Sequence, residues 1–229
     1  MKSLRTFLVA ALALAMVTGA HALTFVTSRP ALGGNDYVDW GVLGSAFTVV
    51  SNPVSLSSNG GLSLTVSKPT TGPFERRNQG FGWAGNFAPG DRLLWTRFEI
   101  GPMEIVFANP VLGAGAQIQR NAYGSFVGKI QAYDAANNLL GTFYLNGNST
   151  AAGDNSAIFL GVLDSSAVIK KVVFDVGTWA FNRWDQWDFA INRLDLVVQG
   201  GTPVIPEPGT MLLMSIGGLA IGLGRRFRR

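Results

Sequence analysis

The chain has 229 residues, no cysteine, one histidine, 29 glycines and 14% charged residues, with a formal charge of +4. No disulfide, iron–sulfur cluster or cysteine–zinc site can form. The sparse charge argues against coiled coils and helical bundles and for β-structure.

Residues 1–22 carry Lys2 and Arg5, an apolar run from Phe7 to Val17, and Ala20-His21-Ala22. Charge, apolar run and small-x-small site stand in the order of a secretory signal peptide. Signal peptidase is therefore an expected partner, with Ala20 and Ala22 marking its site and Leu23 as the new N-terminus. Cleavage would also remove His21, the chain's one histidine.

From Leu23 to Thr202 the hydrophobic period is close to two. Leu62, Leu64 and Val66 alternate with Ser63, Thr65 and Ser67. Leu94, Thr96, Phe98 and Ile100 alternate with Leu93, Trp95, Arg97 and Glu99. Phe126, Gly128, Ile130 and Ala132 form a third run, and Val172, Phe174 and Val176 a fourth. Asn59-Gly60-Gly61 and Pro89-Gly90-Asp91 supply turns. Asp134-Ala135-Ala136-Asn137-Asn138 links two strands as a hairpin, and Asn146-Gly147-Asn148 is expected to end the second. A single helical turn is expected at Asp164–Val168. The reading is all-β: an antiparallel β-sandwich or jelly roll over 23–202. It is flanked by an N-terminal signal helix and a short C-terminal transmembrane helix.

The segment 203–229 holds Pro206-Glu207-Pro208, an uncharged run Met211–Gly224, and Arg225, Arg226, Arg228 and Arg229. As a helix the run spans about 21 Å at 1.5 Å per residue, short of a ~30 Å hydrocarbon core. The arginines favour a cytoplasmic C-terminus, with the body on the other side of the membrane. Setting both ends aside leaves 12 basic and 14 acidic residues in Leu23–Glu207. The positive charge thus belongs to the ends, and no nucleic-acid partner is expected. Arg76-Arg77 and Lys170-Lys171 read as solvated pairs.

This C-terminus resembles the PEP-CTERM sorting signal, also named an ice-binding protein C-terminal domain. The resemblance covers about Val204–Arg229, in the order Pro-Glu-Pro, apolar segment, arginine cluster. It implies recognition by an exosortase, cleavage near Glu207, and delivery to the cell surface or an exopolysaccharide matrix. It also implies a bacterial source with an outer membrane. Pro206 and Pro208 favour an extended segment that a protease cleft can accept without unfolding anything. The ice-binding name does not extend to the body, which has no regular Thr-x-Thr arrays. More loosely, Lys129–Asp134, Leu140–Phe143, Ala157–Val162 and Asp188–Leu194 resemble jelly-roll domains joined to such tails.

Without Cys or His in the body, Ser-His-Asp triads, Cys-His dyads and His-ligated zinc are excluded. Gly80-Phe81-Gly82 lacks the rest of a phosphate-binding loop. A carboxylate pair from Glu75, Glu99 and Glu104 could hydrolyse glycosides, though carboxylates on strands are commonly solvated faces. The best binding candidates lie in Trp179–Phe189, where five aromatics interleave with Asn182, Arg183, Asp185, Gln186 and Asp188. Indole faces suit the C–H faces of sugars, and neighbouring polar groups suit their hydroxyls. Core packing is the competing explanation for Trp184, and more so for Phe181 and Trp187; Phe189 and Ile191 face inward. A second cluster, Phe81, Trp83 and Phe87, has the same ambiguity. No cofactor is expected. Calcium is the one metal suited to Asn35, Asp36, Asp39, Asp154 and Asn155, and turn formation accounts for them more cheaply. Asn148-Ser149-Thr150 reads as a loop.

These observations favour an exported, exosortase-sorted envelope protein with a non-catalytic body that associates with extracellular polysaccharide. The membrane holds it only before processing. The candidate glycan contacts are Trp179, Trp184, Asp185 and Trp83. The rivals are a carboxylate glycosidase and a purely structural or adhesive coat protein.

Overall fold

The computed structural model describes residues 23–180 and 182–200. The signal-peptide residues Ala20 and Ala22 lie outside them, as do Phe181 and the tail residues Pro206, Glu207, Pro208, Arg225, Arg226, Arg228 and Arg229. Among the described residues no helix is long and apolar enough to cross a membrane.

Two sheets pack face to face. The first runs in the order β1 (Thr24–Val26), β13 (Ile158–Leu163), β10 (Gly113–Arg120), β16 (Phe189–Ile191), β8 (Arg92–Trp95), β6 (Phe74–Gln79) and β3 (Val49–Val50). β17 (Leu194–Val197) also pairs with β10 and carries β2 (Asp36–Val38), and β7 (Gly82–Trp83) lies beside β6. The second runs β12 (Leu139–Ser149), β11 (Gly124–Tyr133), β14 (Ile169–Ala180), β9 (Met103–Val111), β5 (Ser63–Ser67) and β4 (Val54–Ser57). β15 (Arg183–Gln186) folds back on the end of β14. The strand pairings are antiparallel apart from a two-residue parallel contact between β6 and β7. This is the all-β sandwich expected from the period-two pattern.

The core lies between the sheets. Leu64 and Val66, Phe126, Ile130 and Ala132, and Val172, Phe174 and Val176 all face it and are buried, as their alternation requires. Phe189 and Ile191 face it from the first sheet. β10 is buried along its whole length because both its faces are covered. Its small residues permit this: a Cβ on Gly115 would lie 2.6 Å from the Phe159 ring.

The hairpin at Asp134–Asn138 forms as expected. Asp134 Oδ1 accepts from the Ala136 and Asn138 amides at 2.9 and 2.8 Å, and Asn137 takes a left-handed φ of 63°. Other expectations are corrected. β8 stops at Trp95, because Arg97 and Phe98 turn the chain with φ of 58° and 62°. Phe98 and Ile100 are consequently exposed. Asn146-Gly147-Asn148 does not end a strand. It continues β12 in register with Ser125–Val127, and the sequon's Ser149 is buried at the strand end. Asp164–Val168 is a bend, with Asp164 accepting from the Ser166 amide. The helical turns fall instead at α1 (Arg29–Leu32), capped by Ser28, and at a 3-10 turn, Trp40–Leu43, capped by Asp39. Arg76 is no solvated cation: it is fully buried and donates to the Gly44, Arg77 and Leu93 carbonyls and to Asn78.

Candidate functional site

The outer face of the second sheet carries an exposed aromatic cluster. Parity puts Tyr144 of β12, Lys129 of β11, Asp175 and Trp179 of β14, and Trp184 of β15 on this one face. Trp179 is 58% exposed, Tyr144 46%, and Trp184 is half-buried. Their ring centroids lie 5.3 Å (Trp179–Trp184), 6.0 Å (Tyr144–Trp184) and 6.2 Å (Tyr144–Trp179) apart, with interplanar angles of 64°, 65° and 54°. These are edge-to-face and tilted contacts of the kind aromatic quadrupoles favour.

Trp184 is fixed from below. Its Nε1–H donates to Asp175 Oδ2 at 2.8 Å. The same oxygen accepts from Gln186 Nε2 at 3.0 Å and pairs with Lys129 Nζ at 2.8 Å, while Oδ1 accepts the Val176 amide. Asp175 is fully buried, so these donors are what makes an ionised carboxylate tolerable there. Lys129 Nζ also lies 4.9 Å from the Trp184 ring centroid. The indole lies directly on Gly177, where a Cβ would come within 2.7 Å of ring carbons. A polar pin, a cation and a glycine floor thus set the ring's position.

The other sequence candidates scatter. Asp185 sits on β15 and pairs with Arg183 at 2.7 Å, at the rim of the cluster. Trp83 is removed as a ligand contact: it is 6% exposed and packed with Phe87, Leu93, Trp95, Ala157 and Ala190. The loop that carries it folds down over the first sheet, which sequence alone does not reveal. Phe81 of the same cluster is exposed, and Phe87 is buried. Trp187 leans towards solvent more than towards core: it is 37% exposed beneath the Arg120 guanidinium, 4.3 Å from its ring centroid. Tyr144, Lys129 and Asp175 were not singled out by sequence. Tyr144 could have been, because parity within β12 sets it opposite Phe143 and Leu145.

The glutamates are engaged by cations. Glu75 is buried between Arg77 and Arg97, at 2.7 and 3.0 Å. Glu99 pairs with Lys68 and accepts from Thr70, which holds its carboxyl below the usual range. Glu104 lies 3.8 Å from Lys171. The loop oxygens suited to calcium accept protein donors. Asp36 takes Ser58, Gly60 and Tyr37; Asp39 takes Gly41 and Arg92; Asn35 brackets Val198; Asp154 takes Ser156 and Asn86. Gln117 donates to Asn155. Among the described residues no three His, Cys, Asp or Glu side chains gather into a metal-binding group. The set fits turn formation and does not fit a calcium cage.

No curated protein matches the chain. Similar solved structures include a DUF4465 family protein from Bacteroides caccae, at 13% identity over 76% of this chain and 99% of that one, with a TM-score of 0.35. Another is CsCBM6-3 from Clostridium stercorarium in complex with cellobiose, at 12% identity over 71% and 93%, with a TM-score of 0.23. Residues 204–229 match the PEP-CTERM protein-sorting motif, which implies export, anchoring by the tail before processing, and processing by an exosortase. The chain therefore carries a PEP-CTERM sorting motif behind an all-β sandwich body.

Proposed function

We propose that the body is a non-catalytic glycan-binding sandwich, which the sorting motif delivers to the cell surface or its extracellular matrix. The observation that carries this reading is the pinned Tyr144–Trp179–Trp184 cluster on a sheet face that no other described segment crosses. An exposed tryptophan on a rigid strand offers apolar area with little ordering cost on binding. Lys129, Asp185 and Gln186 stand beside the rings with polar groups suited to hydroxyls. A fold stabilised by the buried face alone would not need two large aromatics held out in water. The carboxylates support the non-catalytic reading, because Glu75 and Glu99 are tied up in ion pairs with Arg77, Arg97 and Lys68, and Glu104 lies beside Lys171.

A glycan array, followed by Trp179→Ala, tests this. Binding without release of reducing sugar is expected. The substitution should weaken it about 30-fold, the scale of an interface hot spot, while thermal unfolding stays within about 1 kcal/mol of the parent. Undiminished binding by the variant would remove the cluster from the mechanism, and turnover would select the glycosidase. Self-assembly with no glycan bound would select the coat protein.

A further inference from the structure

The aromatic cluster is one end of a longer feature. β12 leaves Tyr144 and presents Asn146 and then Asn148 on the same face, at the two-residue step of a strand. Both asparagines are exposed and make no hydrogen bond to another described residue through their side chains. Two depressions open along this row. One of about 350 Å³ is lined by Ser125, Val127, Asn146, Gly147 and Thr178. The next, of about 490 Å³, is lined by Asn146, Asn148, Thr150, Asp154, Ser156 and the amide of Asn86. They share Asn146 and Gly147, so they adjoin on this stretch of β12 as two parts of a trough. Phe126 backs Gly147 from the opposite, core side, where a Cβ would come within 2.4 Å of its ring. From Tyr144 to Thr150 the strand advances about 20 Å at roughly 3.4 Å per residue.

The far end is built as a rigid polar pocket. Asn86 is buried and donates to Thr150, Ser156 and Asp154, and its carbonyl oxygen accepts the Thr150 amide at 2.6 Å and Gln119 Nε2 at 3.0 Å. Gln119 in turn reaches Ser149. The Thr150 and Ser156 hydroxyls and the Asp154 carboxylate are therefore held in place before any ligand arrives.

Charge narrows the ligand. The cations near the row have partners, Lys129 on Asp175 and Arg183 on Asp185. The carboxylate at the pocket, Asp154, is held below the usual range by the Ser156 and Asn86 hydrogen bonds, so it is anionic near neutrality. Among the described residues a uronate would meet these paired cations and one fixed anion.

We infer that the site takes a linear, uncharged polysaccharide chain laid along β12, with Tyr144, Trp179 and Trp184 stacking one end and Asn146, Asn148 and the Asp154 pocket holding the sugars that follow along the strand. This rests on the glycan-binding reading above and specifies its substrate class. Each solvent-facing asparagine contributes a hydrogen bond or two, and the longer the chain the more of them it gathers.

The test uses the purified full chain and size-graded linear β-glucan, xylan and mannan oligosaccharides, from disaccharide to octasaccharide, with oligogalacturonates as the charged series. Affinity for the best neutral series should rise with length by about tenfold or more before levelling. The double variant Asn146→Val and Asn148→Val should flatten that rise, with its smallest loss for the disaccharide; valine suits an exposed strand position, and a melting curve checks the fold. Trp179→Ala should weaken every length alike. Length-independent binding, or a double variant that keeps the full rise, overturns the trough and leaves the aromatic site standing. Oligogalacturonates binding as tightly as the neutral series overturn the uncharged assignment. Failure of all series and of the host's own envelope polysaccharide to bind overturns the glycan-binding reading itself.

Discussion

The two sheets have inner faces of one kind and outer faces of opposite kinds. The outer face of the first is closed. Loop 81–91 lays Trp83 and Phe87 over Leu93, Trp95 and Ala190, and α1 lays Leu32 over Val26 and Phe159. Buried amides there are bonded to neighbouring side chains: Asn192 donates to Gln117 and Asp91, and Gln119 to Asn86. The outer face of the second sheet has no described segment across it, and its row of Gln131, Lys129, Thr142 and Tyr144 remains in partial contact with water. The comparison teaches that strand patterning fixes which residues leave the core, and only the loops decide whether they meet protein or solvent. Trp83 and Trp179 are the same side chain with opposite fates for that reason.

The largest expected effect falls on the closed face. Trp95→Ala removes a buried indole that packs on Trp83 at 6.0 Å and donates to Asp188. Truncating a buried tryptophan costs about 3–5 kcal/mol. Urea unfolding should report that loss, while glycan affinity measured well below the transition stays at the parent value. A matching loss of affinity in the folded variant would mean the two faces are coupled, and the division drawn above would fail.

Asp175→Ala should come next, at about 2–4 kcal/mol, because it strands the Lys129 ammonium and the Trp184 and Gln186 donors around a buried gap. Unlike Trp95→Ala it should also weaken binding, through loss of the Trp184 orientation. Asp175→Asn keeps an acceptor for the indole N–H and should recover most of the binding but little of the stability. Recovery of neither would make Asp175 a purely structural anion.

How much of this was legible follows from where burial is one-sided. In β11 one face is core and the other is half-exposed, so alternation reveals the fold and the inward set directly. Around β8 it misled. Leu93, Leu94 and Trp95 are buried on both faces, and the apparent continuation through Phe98 is broken by left-handed backbone at Arg97 and Phe98, residues with no turn signature. Arg76 reads as solvated in sequence because two of its carbonyl partners, Gly44 and Leu93, come from other segments of the chain. In the site, Trp179 and Trp184 were visible as aromatics among polar residues. The pin beneath them was not, because Asp175 meets Lys129 and Trp184 only once three strands are side by side.

The smallest effect concerns the ions that hold the closed side together. Lys68 has no exposed side-chain surface, donates to the Thr96 carbonyl at 3.0 Å and pairs with Glu99, whose side chain is one-third exposed. The Lys68 and Thr70 hydrogen bonds lower the Glu99 pKa in the folded protein. A lowered folded pKa means the stabilisation is complete above the ordinary glutamate value and is lost as pH falls through the lowered one. Glu99→Gln should therefore cost about 1–2 kcal/mol at pH 7, a buried-pair loss discounted for that exposure. The gap to the parent should close in acid, as protonation gives the parent the same neutral partner for Lys68. Urea unfolding of both proteins from pH 7 down to about pH 3 measures it. Glu99 and its partners Lys68 and Thr70 are not among the groups at the aromatic cluster, so at each pH the folded variant should bind as the parent does. A gap that stays constant with pH would show that Lys68 is held by Thr96 and by the Phe74 ring, 5.4 Å away, without help from the carboxylate charge.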